Sequence, residues 1–339
     1  MQDVKLEISL RSILIFVAVV AALWLLYQIK EVIVILAFAF ILMSALNPVV
    51  DKLEKKMPRT LAIMLSYLAM ILIVGLLLAV VIPVLISQIG LFFKNLPAII
   101  NNLLPTFSFL KNSGEQYNII IASQDLVNLL SQQFSLFSSN LFNATFELVN
   151  GVVGIVAVSV FSFYLLLEQR DLKKQFINLF PAGSQERIFN LILKIETKLG
   201  AWLRGQAFLC FIVGFLSWIG LTVLHVDFAL PLAIIAGFLE IIPNIGPIIS
   251  AIPAILVALV SSPILALLTA IWYILVQQAE NAFIVPKIMS SAVDLNPLIV
   301  ILAILIGGKL MGVTGVLLSI PVMAVCFTIL EDYLEHRKQ

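Results

Sequence analysis

The sequence predicts an all-α polytopic transmembrane protein with two re-entrant hairpins arranged as an inverted repeat. Composition comes first: 62% of the 339 residues are hydrophobic and 12% charged, about half the charge that soluble domains carry. Long apolar runs come second, several near the roughly 20 residues a helix needs to cross about 30 Å of hydrocarbon. The third is the stretch between Glu240 and Glu280, 39 residues without Asp, Glu, Lys or Arg. That is too long for one pass, and Pro243-Asn244-Ile245-Gly246-Pro247 forbids one straight helix. Broken backbone at membrane depth is tolerated where it is buried in protein or lines a wet cavity.

In chain order, the first predicted span is Ser12 to Ile29, read as a membrane segment and not as a removed leader, because a second apolar run follows at once. The second covers Val32 to Val50. Residues 51–59 then hold four cations, and the third span covers Thr60 to about Ile89, bent or ended by Pro83. Residues 90–146 are rich in Asn, Ser and Gln, with Leu, Ile and Phe at helical spacing, and read as an amphipathic helical module. The fourth span is Leu148 to Leu167. Seven cations follow between Glu168 and Arg204, where Ile188, Leu191, Ile195, Leu199 and Trp202 make an apolar stripe on a surface helix that starts after Pro181. A fifth span runs from Gly205 to Val226.

Loops 51–59 and 168–204 carry eleven Lys and Arg, against two in residues 90–146. The positive-inside rule therefore places those loops, and both termini, in the cytoplasm, and the 90–146 module outside.

The remainder contains a sparse internal similarity. Pro231-Leu232 precedes Gly246 by the interval that separates Pro297-Leu298 from Gly312, and Ile252-Pro253 answers Ile320-Pro321 with a small slip. Both stretches are broken midway, the first at Pro243 to Pro247, the second between Gly307-Gly308 and Gly312. Each arm of roughly 14 residues makes about 21 Å of helix, short for a span and long enough to pass the midplane. Two re-entrant hairpins, 229–258 and 298–328, separated by one span from Ile264 to Ile284, fit these lengths better than two kinked spans. One intervening span makes the hairpins enter from opposite sides, the plan of many secondary transporters.

The run from Phe238 to Ala254, with its Pro-Asn-Ile-Gly-Pro break, resembles the signature of the autoinducer-2 exporter family of bacterial membrane proteins. So do Asn47-Pro48, Pro58-Arg59, Arg204-Gly205-Gln206, Gln278-Ala279-Glu280-Asn281, Pro286 and Asn296-Pro297-Leu298. The resemblance spans nearly the whole chain. It implies a homo-oligomeric transporter of the bacterial inner membrane, a pentamer, exporting a small signalling molecule or exchanging sodium and protons. His225-Val226-Asp227 stands where the family often has a glycine turn, a departure confined to an outer loop. On this reading residues 1–89 hold three spans, 90–146 the outer module and 147–204 the fourth span with its cytoplasmic segment. Residues 205–330 form the transport core and 331–339 a cytoplasmic tail.

Ionisable groups inside apolar segments are functional candidates because each costs at least about 2.5 kcal/mol at mid-bilayer. Glu240, one turn before the break, reads as a proton or cation site completed by Asn244 and carbonyls near Gly246; the alternative is a carboxylate pairing with Lys309 or capping a hairpin arm. Gln277, Glu280 and Asn281 share one helical face. With Gln278 they place four polar side chains in five residues, read either as an ion or solute route or as helix-to-helix hydrogen bonding. Lys309 reads as snorkelling to the interface or as neutralising a carboxylate. Pro243, Pro247, Gly307, Gly308 and Gly312 are the candidate hinges. Arg204-Gly205-Gln206 reads as a cationic anchor.

No Walker-type loop, nucleophile elbow or HExxH motif is present, which removes the usual basis for ATP-driven transport or hydrolysis. With two histidines and two cysteines, Cys210 and Cys326, no metal site or cofactor is expected, and no basic tract points to nucleic acid. The expected partners are membrane lipid, a small-molecule or ion substrate, and copies of the chain. Ion-coupled export is the first functional reading, sodium–proton antiport the second, and a non-transporting membrane scaffold the third.

Overall fold

Helices form wherever apolar runs let the backbone satisfy its own hydrogen bonds, and the described residues contain no strand. The computed structural model describes residues 10–76, 79, 153–243, 245–289 and 296–337. The expected outer module, 90–146, lies outside them. Five described helices are long and apolar enough to cross a membrane, six if a bent pair counts as one span.

The first two helices are α1 (Leu10–Gln28) and α2 (Lys30–Glu54). After the basic loop comes α3 (Arg59–Leu76), and later α4 (Val153–Leu167), which turns through 73° into α5 (Gln169–Ile177). Arg59 joins these ends. It donates to Glu54 at 2.8 Å, to the Leu166 carbonyl at 3.2 Å and to Gln169 at 3.1 Å. Met43, Val50, Ile63, Tyr67 and Leu166 form the apolar cluster behind it.

Next comes α6 (Ala182–Val223), 42 residues long. The sequence divides it at Gly205 into a surface helix and a span; the structure keeps it continuous. Gly205 is buried against Ile288 and Met289, so packing offsets the about 1 kcal/mol that a glycine costs a helix interior. At 1.5 Å per residue the helix is about 63 Å long, twice what a bilayer requires. Its first half is held to the carboxyl-terminal helix by Arg187–Asp332 at 2.8 Å and Lys198–Glu331 at 3.2 Å. Glu196, nearly fully buried there, pairs with Lys173 at 2.5 Å.

Where α6 crosses α2, Pro48 lacks the N–H that would have served the Ser44 carbonyl. Arg204 reaches that carbonyl at 3.4 Å and the Ala45 carbonyl at 3.0 Å. Gly200 faces the same Ser44 carbonyl so closely that a Cβ would collide with it.

A turn through His225 and Phe228, both at positive φ, leads into α7 (Ala229–Leu239), the turn 240–245 and α8 (Gly246–Ser261). α7 and α8 fold against each other as a hairpin. The α7 arm lies along α6 through small residues: Gly237 abuts the Cys210 carbonyl and Gly214, and Gly214 the Ala233 carbonyl, as in close helix crossings in membranes. Ser262 caps α9 (Pro263–Met289) by accepting from the Leu265 N–H at 3.1 Å. Within α9, Glu280–Ile284 form a π turn.

The last helix, α10 (Pro297–Arg337), is two arms joined at Met311–Gly312, where Gly312 has φ 60° and ψ −140°. Such angles suit glycine. The chain doubles back there, because the Gly307 and Gly315 backbones are in direct contact. The break therefore falls at the last of the three candidate glycines, while Gly307 and Gly308 lie in the packed arm. The second arm continues as helix to Arg337.

Gly200→Val is expected to lower the stability of the detergent-solubilised protein by about 1–3 kcal/mol through overpacking. Gly183→Ala, with open space around it, should hold or slightly raise the thermal midpoint; equal midpoints for both variants would contradict the close α2–α6 crossing.

Candidate functional site

The turn between α7 and α8 begins at Glu240 because Pro243 has no N–H to continue the helix. Chain direction then reverses within six residues, with the Gly246 N–H bonded to the Ile242 carbonyl at 2.9 Å and the Ile245 N–H to the Pro243 carbonyl at 2.8 Å. Ser250 turns its hydroxyl back to the Pro247 carbonyl at 3.0 Å. The carbonyl of Glu240 finds its donor on another helix: Gln206 Nε2 on α6, at 2.6 Å. Both residues are buried, Glu240 completely and Gln206 to 1% exposure.

Opposite this turn, α9 widens into its π turn at Glu280, which is 2% exposed. A π turn inserts one extra residue and is frequent at functional sites. There the Glu280 carboxyl lies beside that of Glu240. Neither Glu240 oxygen, nor Glu280 Oε2, nor Gln206 Oε1 has a hydrogen-bond partner among the described residues. Cys210, one turn beyond Gln206, faces the same two acids. No lysine or arginine among the described residues forms an ion pair with either carboxyl.

Thus Glu240 and Glu280, 40 residues apart in sequence, meet, and Gly246 and Pro247 are buried beside them in the turn. Pro243 is half-buried there, and Asn244 lies outside the described residues. The rest of the polar group disperses. Gln277 is half-buried, while Gln278 and Asn281 are exposed. Lys309 is exposed near the tip of the α10 hairpin and makes no ion pair among the described residues. Gln206 is the residue that sequence reasoning missed. Its signal was present: a glutamine two positions inside the apolar run that follows Arg204.

Polar groups continue along the α6–α9 seam. Ser217 on α6 and Thr269 on α9 are fully buried and Tyr273 on α9 nearly so, and none of the three hydroxyls has a hydrogen-bond partner among the described residues. Trp272 closes the seam by donating Nε1–H to the Leu216 carbonyl at 3.2 Å, its ring lying on Gly220.

A widely exposed apolar groove lies elsewhere, between α2, α5, α6 and α10, lined by Phe40, Phe176, Leu191 and Val325. It includes neither Glu240 nor Glu280.

The family model for AI-2E family transporters matches residues 13–335. YueF of Bacillus subtilis (strain 168) is 31% identical over 297 residues, covering 85% of this chain and 80% of the relative. MT0215 of Mycobacterium tuberculosis is 30% identical over 330 residues, covering 93% and 86%. The AI-2 transport protein TqsA of Escherichia coli (strain K12) is 26% identical over 306 residues, covering 89% and 86%.

Gln206→Leu removes the donor that holds the Glu240 carbonyl, and a buried carbonyl left without a donor costs about 1–3 kcal/mol. Amide exchange at residues 240–246 is expected to accelerate while exchange in α3 stays unchanged. Uniform exchange across both regions in the variant and the parent would show that this bond does not hold the turn.

Proposed function

This chain belongs to the AI-2E transporter family, and from that premise we propose that it is a secondary transporter of the bacterial plasma membrane, exporting a small polar solute coupled to protons or ions bound at Glu240 and Glu280. The observation that carries this reading is the facing pair of buried acids with no hydrogen-bond donor on three of their oxygens. An ionised carboxylate out of water costs several kcal/mol unless it is paired, and two such charges side by side repel. The pair therefore calls for a proton or a cation. A site that is unfavourable when empty and satisfied when filled is what coupling requires.

The surrounding backbone supports the same reading. α7, at 11 residues, is about 16 Å long, short of a bilayer crossing. It fits a hairpin that enters from the outer side and brings its tip to Glu280. The α10 hairpin, doubled back at Met311–Gly312, fits entry from the cytoplasmic side. Alternate movement of the two would open the acid pair to each face in turn. The distribution of cations favours cytoplasmic termini. Exposed apolar surface on several helices fits a homo-oligomer set in lipid, the pentamer that the family resemblance implies.

A relative named as an AI-2 transport protein lends the solute class: a small polar signalling molecule or metabolite. Sodium–proton antiport is the second reading, favoured because the site is built of oxygens, the chemistry that hard cations take. A scaffold that moves nothing is the third.

Purified protein in proteoliposomes separates these readings. Proton movement driven by a sodium gradient supports antiport, uptake of labelled autoinducer-2 supports export, and no flux with either supports the scaffold. Glu240→Gln and Glu280→Gln, normally inserted, are each expected to cut coupled flux more than about tenfold, an added barrier of about 1.4 kcal/mol. Parental flux with parental pH dependence in both variants would remove the acid pair from the mechanism.

A further inference from the structure

Among the described residues, five helical hydroxyls satisfy themselves on the preceding turn in the same way. Ser44, Ser66, Ser159, Thr197 and Thr328 each donate to the carbonyl four residues back, at 2.7–2.8 Å. Ser217 and Thr269 sit in equally regular helix and do not, although both are fully buried and the cost of an unmet group is therefore highest there. Tyr273 also lies without a partner, its hydroxyl toward Ser217 and outside hydrogen-bond geometry. Tyr67 is a direct contrast. It is 6% exposed, as Tyr273 is, yet its hydroxyl is bonded to Ser162 at 2.5 Å.

Apart from Asn47 Oδ1 on α2 and Arg59 Nε on α3, the unmet buried side-chain groups among the described residues lie on α6, on α9 and at Glu240. On α6 they fall at Gln206 and Ser217, with Cys210 between; on α9 at Thr269, Tyr273 and Glu280. From Gln206 to Ser217 and from Glu280 to Thr269 is eleven residues each way, about 16 Å of helix. The helices run antiparallel, with Trp272 bonded to Leu216 at the far end and the acid pair at the near end. The unpaired oxygens of α6, α9 and Glu240 thus form one line along the inner seam, starting at Glu240 and Glu280 and ending beneath Leu221, Val226 and Ala266, which pack in one apolar cluster with Tyr273.

We propose that this seam holds a file of water molecules that carries protons between Glu240–Glu280 and the end of the bundle where α6 stops. A buried water needs two to four polar partners, and the line offers them at nearly every turn: Gln206 Oε1, Ser217 Oγ, Tyr273 Oη and Thr269 Oγ1, with the thiol of Cys210 between. Hydroxyls both donate and accept, so each can pass a hydrogen-bond chain onward. At each hop one O–H bond breaks and one forms, with no electron transfer, and the proton ends on a carboxylate oxygen. The titratable groups facing the path are Glu240 from the hairpin, Cys210 from α6, and Tyr273 and Glu280 from α9; no cationic side chain among the described residues forms an ion pair with these acids. The apolar cluster at the far end closes the file to bulk water until the helices part. The proposal rests on the acid pair as the coupling site and adds the route by which protons reach it.

Radiolytic hydroxyl-radical labelling of the whole protein in nanodiscs tests the water directly, because radicals form wherever water is held. Tyr273 is expected to label several times faster than the equally buried Tyr67. Tyr273 and Tyr67 labelling at one common slow rate would overturn the file, whatever the transport data show. Tyr273→Phe in proteoliposomes is expected to slow proton-coupled flux about tenfold, the effect of about one hydrogen bond on the barrier, while solute binding and thermal midpoint stay as in the parent. Fast labelling with unchanged flux in Tyr273→Phe would overturn the conducting role. Fast labelling and slowed flux in Tyr273→Phe, together with intact flux in Glu240→Gln and Glu280→Gln, would sink the acid-pair reading separately and leave the wet path standing.

Discussion

A backbone carbonyl removed from water must find a donor, and two of this protein's proline breaks find theirs on one tripeptide of α6. Pro48 leaves the Ser44 carbonyl unserved, and Arg204 reaches it. The Glu240 carbonyl lies at the start of the Pro243 turn, where α7 has ended, and Gln206 reaches that one. Between them Gly205 lets the end of α9 close in through Ile288 and Met289. A lost bond of this kind costs about 1–3 kcal/mol when buried, so the tripeptide fixes α2, the first hairpin and α9 relative to α6. The position of Glu280 against Glu240 follows from that register.

The two hairpins meet the same backbone problem by different means. In α10 the reversal is handled by glycine: Gly312 takes the positive φ, and Gly307 and Gly315 let the arms touch without side chains between them. The first hairpin uses a side chain from outside itself. Its tip is consequently polar, buried and tied to the seam, whereas the tip of the second carries the exposed Lys309 and Met311. Functional chemistry gathers where the backbone needed polar help, because the groups that supply it also make a place where water and charge can stay.

How much of this could be read from residues alone depended on the kind of signal. The first break was legible because two prolines and a glycine within five residues leave the chain few alternatives. The second was legible only as a region, since three glycines share it and which one turns is decided by how the arms pack. Glu280 stood out as a charge in an apolar run. Its π turn left no mark in composition, so helical spacing grouped it with Asn281, which the structure exposes. Gln206 was overshadowed by Arg204 beside it; an amide among leucines becomes telling only when the carbonyl it serves, 34 residues on, is in view. The continuity of α6 through Gly205 was hidden for a similar reason, because glycine argues for a break until its packing partners are known.

Burial of unmet polar groups also weighs against a purely structural role for the seam. A scaffold gains from replacing such groups with packed apolar ones, since a buried polar pair contributes little net stability and an unpaired group subtracts from it. Leucine or valine at 217, 269 and 206 would serve α6–α9 packing better than serine, threonine and glutamine do. The chain instead keeps small polar groups in line with two acids, behind a tryptophan that shuts the seam laterally. What such an arrangement sacrifices in packing it recovers only if something hydrated or charged passes along it.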